Sequence, residues 1–185
     1  MRAMEARTVP ETQCNYSESA DLVDTYGNAV YEFCCSLTYS KEDADDLFQE
    51  TFLKAIEQPS KLYARENPQG FLFSTALYLW KSWKRKYARR NRLVPVIPLD
   101  EAAVSGVDVT NIEESFVEKE NIRTVRKMVD TLPDKYKIPL ILFYTMELGV
   151  QDISEILKLP VGTVKSRLYK ARKLIEKGLI KDGFR

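Results

Sequence analysis

The side chains that could do covalent chemistry in this chain of 185 residues are few. The sequence contains no histidine, which removes the Cys-His and Ser-His pairs that activate nucleophiles and most mixed-ligand zinc sites. Cys14, Cys34 and Cys35 lack C-x-x-C spacing, and two adjacent cysteines do not readily form a disulfide framework. A cysteine-dependent enzyme is therefore disfavoured, and we expect no catalytic residue, no metal and no cofactor.

Basic side chains, by contrast, could bind phosphate groups. The net charge is only +1, but seven lysines and arginines and no acid lie between Lys81 and Arg92, and a second basic stretch follows Lys165. The acids concentrate in residues 42–57 and 100–120. The near-neutral total thus conceals basic and acidic faces, and the basic ones suit a nucleic acid.

The elements that carry these residues are predicted to be helices. Apolar residues recur at helical spacing in two blocks, which are interrupted at 58–70, 131–133, 147–149 and 158–160. We therefore predict an all-α fold of two small helical domains on a flexible linker. The expected order is a flexible N-terminal tail (1–16), a first domain (17–92), an acidic linker (93–117) and a second domain (118–185).

Targeting and membrane signals are missing from the pattern. No apolar run approaches the roughly 18 residues that a membrane span needs. The N-terminal stretch MRAMEARTVPETQ is polar and lacks the apolar core of a signal peptide. We expect a cytoplasmic protein with no membrane insertion of its own.

The stretch PVGTVKSRLYKAR (160–172) predicts a helix with one apolar side and one basic side. A short helix over 150–157 and a tight joint at 158–160 precede it, which is the helix-turn-helix layout of a four-helix second domain. Its outer lysines, arginines and hydroxyl groups could contact phosphates and base edges. The alternative is an amphipathic helix whose lysines serve solubility alone.

Two helices of the first block also have distinct faces. In 43–57, an acidic stripe that contains Leu53 lies opposite the apolar side, which favours a protein partner with basic residues and an apolar pocket; an ordinary solvated face is the alternative. In 71–92, aromatic and basic residues share one side, which suits a nucleic acid with unstacked bases. The core side is predicted to hold Leu72, Ala76, Leu79, Trp83 and Tyr87.

Together the motifs resemble one family. DADDLFQETFLKA (43–55), NPQGFLFSTALYL (67–79) with its basic extension, LP (132–133) and PVGTVKSRLYKAR, in this order and spacing, are similar to the extracytoplasmic-function (ECF) sigma factors of bacterial RNA polymerase. The similarity covers roughly residues 20–92 and 118–178. It implies a transcription initiation factor that binds core RNA polymerase, directs it to specific promoters and promotes strand opening.

The resemblance also implies a role for individual residues. Core polymerase would be bound by Asp46, Gln49, Glu50 and Leu53. The minus-ten element, including the unpaired non-template strand, would be bound by Asn67, Ser74, Tyr78, Lys81 and Arg85. The minus-thirty-five element, as duplex DNA, would be bound by Lys165, Ser166, Arg167, Tyr169, Lys170 and Arg172. An anti-sigma factor is a further expected partner.

Some residues depart from the family pattern. The family usually has Trp, Asn and Asp at the positions of Phe71, Tyr78 and Ser82. These departures affect the contacts that the resemblance implies for the minus-ten strand. Pro139 predicts a kink or a later helix start, because its ring and its missing N–H disrupt a helix interior.

Geometry allows the two domains to act together. The two promoter elements lie about two helical turns apart, roughly 70 Å along the duplex. A linker over 93–117 reaches at most roughly 85 Å when fully extended. The competing hypothesis is a free-standing helix-turn-helix regulator that binds duplex DNA as a dimer, but it gives no purpose to the acidic stripe of 46–57.

Overall fold

The computed structural model describes residues 16–58, 62, 67–93 and 116–181. Over these residues the chain forms seven α-helices and no strand, which confirms the all-α prediction. The helices are α1 (Tyr16–Leu37), α2 (Lys41–Ile56), α3 (Pro68–Leu93), α4 (Phe116–Thr131), α5 (Asp134–Tyr144), α6 (Val150–Leu157) and α7 (Val161–Lys181). Residues 1–15 of the predicted tail, loop residues 63–66 and residues 94–115 of the predicted linker lie outside the described residues, whereas Tyr16 already belongs to α1.

The first half of the molecule is formed by α1, α2 and α3, which pack on one another around an aromatic core. The rings of Phe33 and Phe73 join α1 to α3 at a centroid distance of 4.9 Å. Helix α2 begins at Ser40, whose hydroxyl oxygen accepts a hydrogen bond from the Asp43 N–H at 3.0 Å. This N-cap satisfies one of the free donors of the first turn and fixes where α2 starts.

The core side predicted for α3 is confirmed at Leu72, Ala76 and Leu79, all of which are buried. It is wrong at Tyr87, whose side chain is 69 % exposed. Helix α3 has 26 residues, about 39 Å at 1.5 Å per residue, and runs past the end of the helices that cover its first half. Helical periodicity gives the direction of Tyr87 but does not say where the neighbouring helices end.

The second half is formed by α4 to α7. Helix α5 begins at Asp134 and contains Pro139, so the predicted later helix start is wrong. Pro139 is fully buried among the apolar residues of α5. The burial of Ile138, Leu140, Ile141 and Leu142 around it stabilises a helix that the proline alone disfavours.

The predicted helix-turn-helix is confirmed in α6 and α7. Helix α6 ends at Lys158, which adopts left-handed backbone angles (φ 53°), and the Leu159 N–H then bonds to the Ser154 carbonyl at 3.0 Å. This pattern closes the helix and turns the chain sharply into α7. The predicted apolar side of this helix is confirmed, because Val164, Leu168 and Ala171 are buried.

The two halves pack against each other. Helix α6 contacts α3, and α5 contacts α1, so a single apolar cluster runs from Phe33 and Trp80 through to Ile156 and Leu168. Within the described part of the chain, none of the helices has the length and apolar character needed to cross a lipid bilayer.

Candidate protein and nucleic-acid interfaces

The acidic face of α2 consists of Asp46, Gln49, Glu50 and Leu53, which lie at i, i+3, i+4 and i+7 and therefore share one side of the helix. All four are exposed, and Leu53 is 63 % exposed although it is a large apolar residue. An apolar side chain surrounded by acceptors is typical of a surface that contacts another protein.

Glu50 is held by a contact that the sequence did not reveal. Its Oε2 accepts a hydrogen bond of 2.9 Å from the indole N–H of Trp83 on α3. The orientation of this carboxylate is therefore fixed by the helix that carries the basic residues. Helical periodicity could not predict this hydrogen bond, because it joins two residues that are 33 positions apart in the sequence.

The N-terminal half of α2 is bound to α1 by a hydrogen bond and a ring contact. Tyr31 donates a hydrogen bond of 2.8 Å to Asp45 Oδ1, and its ring contacts Phe48 edge-on at a centroid distance of 5.6 Å. The hydrogen bond to Asp45, together with burial, raises the pKa of Tyr31 to about 12. The acidic face is thus presented by a helix that is tied to both of its neighbours.

The polar face of α3 consists of Ser74, Tyr78, Lys81 and Arg85. Tyr78 is 63 % exposed, and Lys81 and Arg85 are also exposed, so an aromatic ring stands beside two cations as the sequence predicted. Ser74 is different, because it is half-buried and its hydroxyl donates to the Gly70 carbonyl at 2.8 Å. Three of these four side chains are therefore open to a ligand.

Asn67 stabilises the start of α3. Its Oδ1 accepts a hydrogen bond of 2.7 Å from the Gly70 N–H, and it therefore caps the start of α3. A Cβ atom at Gly70 would lie 3.1 Å from Cγ and Nδ2 of Asn67, so a larger residue there would require the Asn67 side chain to shift slightly.

The outer face of α7 presents Lys165, Ser166, Tyr169 and Lys170 to solvent, and Tyr169 is 64 % exposed. Gly162 adds an open position, since a Cβ atom there would meet nothing within 4 Å. A nucleic-acid backbone could approach the start of α7 closely at this point.

The two arginines predicted with this face lie at its opposite edges. Arg172 extends over the rings of Phe143 and Tyr144, at 5.9 and 5.8 Å from their centroids. Arg167 is half-buried, and its positive charge contributes to lowering the pKa of Lys81 on α3. Arg167 is therefore less accessible than the other five predicted residues, which are all exposed.

Lys81 of α3 is influenced by charged residues of the second half. Burial lowers its pKa, the carboxylate of Asp134 opposes this change, and the positive charges of Arg167 and Arg85 add to it. Two basic side chains assigned to different DNA elements thus lie near one another across the junction of the halves.

Comparison with known proteins defines the class. Residues 22–90 match the model of sigma-70 region 2, and residues 122–175 match that of sigma-70 region 4. These two segments contain the acidic face of α2, the polar face of α3 and the outer face of α7. The chain is therefore a sigma-70-type protein with both of these regions.

Relatives specify the family. The ECF RNA polymerase sigma factor SigW of Bacillus subtilis is 30 % identical over 171 residues, covering 86 % of this chain and 88 % of SigW. The ECF RNA polymerase sigma-E factor of Haemophilus influenzae is 28 % identical over 159 residues, covering 84 % of both chains. The chain belongs to the ECF sigma factors, and as an alternative sigma factor it directs RNA polymerase to promoters.

Solved structures have the same fold. The sigma factor RpoE of Bartonella quintana, determined in complex with the anti-sigma factor NepR, superposes with a TM-score of 0.71 at 21 % identity and covers 86 % of this chain and 95 % of its own. CnrH, determined with the cytosolic domain of CnrY, gives a TM-score of 0.65 at 19 % identity, covering 91 % of this chain and 92 % of its own.

Proposed function

We propose that the two halves of the chain divide promoter recognition between them. The first half, residues 17–92, would bind core RNA polymerase through the acidic face of α2 and the minus-ten strand through the polar face of α3. The second half, residues 118–185, would bind the minus-thirty-five duplex through the outer face of α7. Residues 93–117 would link them, and residues 1–16 would form a tail.

The observation that carries this proposal is the exposure of Leu53 within the acidic face of α2. Leu53 is 63 % exposed beside Gln49, Glu50 and Glu57, so α2 presents one face that combines an apolar side chain with acidic and amide groups. A partner with basic groups around an apolar pocket would cover it and would match the charge of its neighbours.

The polar face of α3 suits single-stranded DNA in the same way. A base could stack on the exposed ring of Tyr78 while Lys81 and Arg85 neutralise the adjacent phosphates. Asn67 and Ser74 would contribute hydrogen bonds at the start of the helix. Strand opening then follows from preferential binding, since the protein stabilises the unpaired strand more than the duplex.

The outer face of α7 suits the major groove. Lys165, Ser166, Arg167, Tyr169, Lys170 and Arg172 would supply the contacts to phosphates and base edges. In this proposal the chain carries no enzymatic activity of its own and acts in the cytoplasm with core polymerase. An anti-sigma factor that holds it inactive is a further proposed partner, supported by the structure of the similar sigma factor RpoE in complex with the anti-sigma factor NepR.

The first test is run-off transcription from a randomised promoter library with core polymerase, with and without this protein. Transcripts that require both, enriched for a two-part promoter, are the expected result. Tight duplex binding by the protein alone, without polymerase-dependent transcripts, would favour the dimeric helix-turn-helix regulator instead.

The second test addresses the polymerase face. Asp46→Ala combined with Gln49→Ala should abolish co-purification with core polymerase and leave the helical content unchanged. The matched control is Asp21→Ala with Asn28→Ala, which likewise removes one carboxylate and one amide from exposed positions of α1. Retained co-purification of the α2 variant would show that this face is not the polymerase contact.

A further inference from the structure

The carboxylate of Glu50, on the acidic face of α2, is held by a donor from another helix. The indole N–H of Trp83 on α3 donates to Glu50 Oε2 at 2.9 Å, across the contact between α2 and α3. A hydrogen bond to an ionised acceptor is stronger than one between neutral groups. The direction in which this carboxylate points therefore depends on a residue of α3.

Trp83 is itself fixed in place. Its side chain is half-buried and packs against the apolar core. An indole has only two rotatable side-chain bonds, so a packed tryptophan loses little further freedom when it donates a hydrogen bond. Trp83 is thus a rigid donor, whereas a free glutamate side chain samples many rotamers.

The donor carries no charge, which leaves the charge of Glu50 in place. Lys54 lies four residues after Glu50 on α2, the spacing at which a lysine commonly pairs with a glutamate. Its ammonium group pairs instead with Glu57, at 2.9 Å from Oε2. The hydrogen bond and the charge of Glu57 raise the pKa of Lys54, and Glu50 contributes less to this increase than Glu57 does.

Glu50 also keeps room for a further partner. A carboxylate offers about four lone-pair positions to donors, and the Trp83 N–H uses one of them. The Glu50 side chain is exposed, so an approaching protein can reach the remaining positions. A carboxylate that is already oriented loses less conformational freedom on binding, and this strengthens the complex.

We propose that Trp83 is a positioning residue for the binding of core RNA polymerase, because its indole N–H orients the Glu50 carboxylate toward a cationic group of the polymerase. The proposal rests on the function proposed above for the acidic face of α2. It gives Trp83 a role in addition to the core packing that the sequence predicted.

Nuclear magnetic resonance of the free, ¹⁵N-labelled chain tests the hydrogen bond. The chain contains two tryptophans and should give two indole N–H signals, which Trp83→Phe assigns. Glu50→Ala should move the Trp83 signal upfield by removing its charged acceptor, and the Trp80 signal should stay in place. An unmoved Trp83 signal would overturn the proposal.

The affinity of the full-length chain for core polymerase tests the positioning role, measured by biolayer interferometry with the chain immobilised. Trp83→Phe keeps an aromatic ring and removes the donor, so it should weaken binding about five-fold, the order expected when one flexible side chain is no longer pre-organised. Benzothienylalanine at position 83, in which sulfur replaces the indole N–H, should weaken binding to the same extent while preserving the shape of the ring.

Trp80→Phe is the matched control. It makes the same substitution one turn earlier on α3, where the indole ring is buried and lies 4.6 Å from the ammonium group of Lys84. We expect its affinity for core polymerase to equal that of the unaltered chain. An equal loss in both tryptophan variants would show that packing of α3, rather than the bond to Glu50, is responsible, and it would overturn the proposal.

A double-mutant cycle separates positioning from packing. Trp83→Phe should have no further effect on polymerase binding in a chain that already carries Glu50→Ala, because the carboxylate to be oriented is gone. The same five-fold loss in both backgrounds would overturn the proposal. Undiminished binding by Glu50→Ala alone would refute the role of Glu50 in the proposed function, whereas weaker binding by Glu50→Ala with unchanged binding by Trp83→Phe would overturn the positioning role alone.

Discussion

The ion pair between Lys137 and Asp130 allows a quantitative test of how the second half is stabilised. The Lys137 side chain is only 5 % exposed, whereas that of its partner Asp130 is 49 % exposed. The pair joins α4 to α5, and no buried side-chain polar atom among the described residues lacks a hydrogen-bond partner. The buried ammonium group therefore depends on one half-exposed carboxylate and on the ring of Tyr39.

We expect Asp130→Ala to destabilise the protein by about 2 kcal/mol. Removing one partner of a fully buried pair costs about 3–5 kcal/mol, because the remaining charge is left without compensation. The half-exposed position of Asp130 lets water reach the site, which places the cost below that range. Lys137→Met removes the charge and keeps an apolar stem, so its expected cost is below about 1 kcal/mol.

Urea unfolding of the two single variants and the double variant, followed by circular dichroism at pH 7, measures these costs. The double variant should be close to Lys137→Met, since no uncompensated charge remains, giving a coupling of about 1–2 kcal/mol. A double variant as unstable as the sum of the singles would refute this account of the buried lysine.

Three further predictions concern single sites. Ser40→Ala should destabilise the first half by about 1 kcal/mol in the same unfolding assay, because the N-cap bond to the Asp43 N–H is lost; Ser40→Asn should retain most of it. Burial and the neighbouring Cys35 raise the pKa of Cys34 to about 12, so its thiol should resist alkylation at pH 8 until the chain unfolds. The stabilisation linked to this raised pKa is fully present below the usual thiol pKa of 9 and should decline as pH rises toward 12. Rapid alkylation of Cys34 in the native protein would contradict the burial of its thiol. Lys170→Ala should weaken promoter-dependent transcription by about 1–3 kcal/mol if the residue contacts a base, whereas the exposed Lys177→Ala on the same helix should have a smaller effect.

The sequence by itself determined the helices, their faces and the family. Periodicity placed Leu72 and Ala76 inside and Leu53 outside because the direction of a helical side chain depends on local spacing alone. The turn at 158–160 could also be predicted from the sequence, because it depends on local contacts. Lys158 adopts left-handed backbone angles and bonds to the last turn of α6. Motif order then supplied the resemblance that the comparisons confirmed.

Only the tertiary structure determined which residues of other helices contact those faces. Tyr87 is exposed because α3 outruns its neighbours, and Trp83 reaches Glu50 because α3 crosses α2 at that turn. Arg167 and Arg172 are separated because one edge of α7 faces Lys81 and the other faces Phe143. These outcomes depend on contacts between residues distant in sequence, which helical periodicity does not encode.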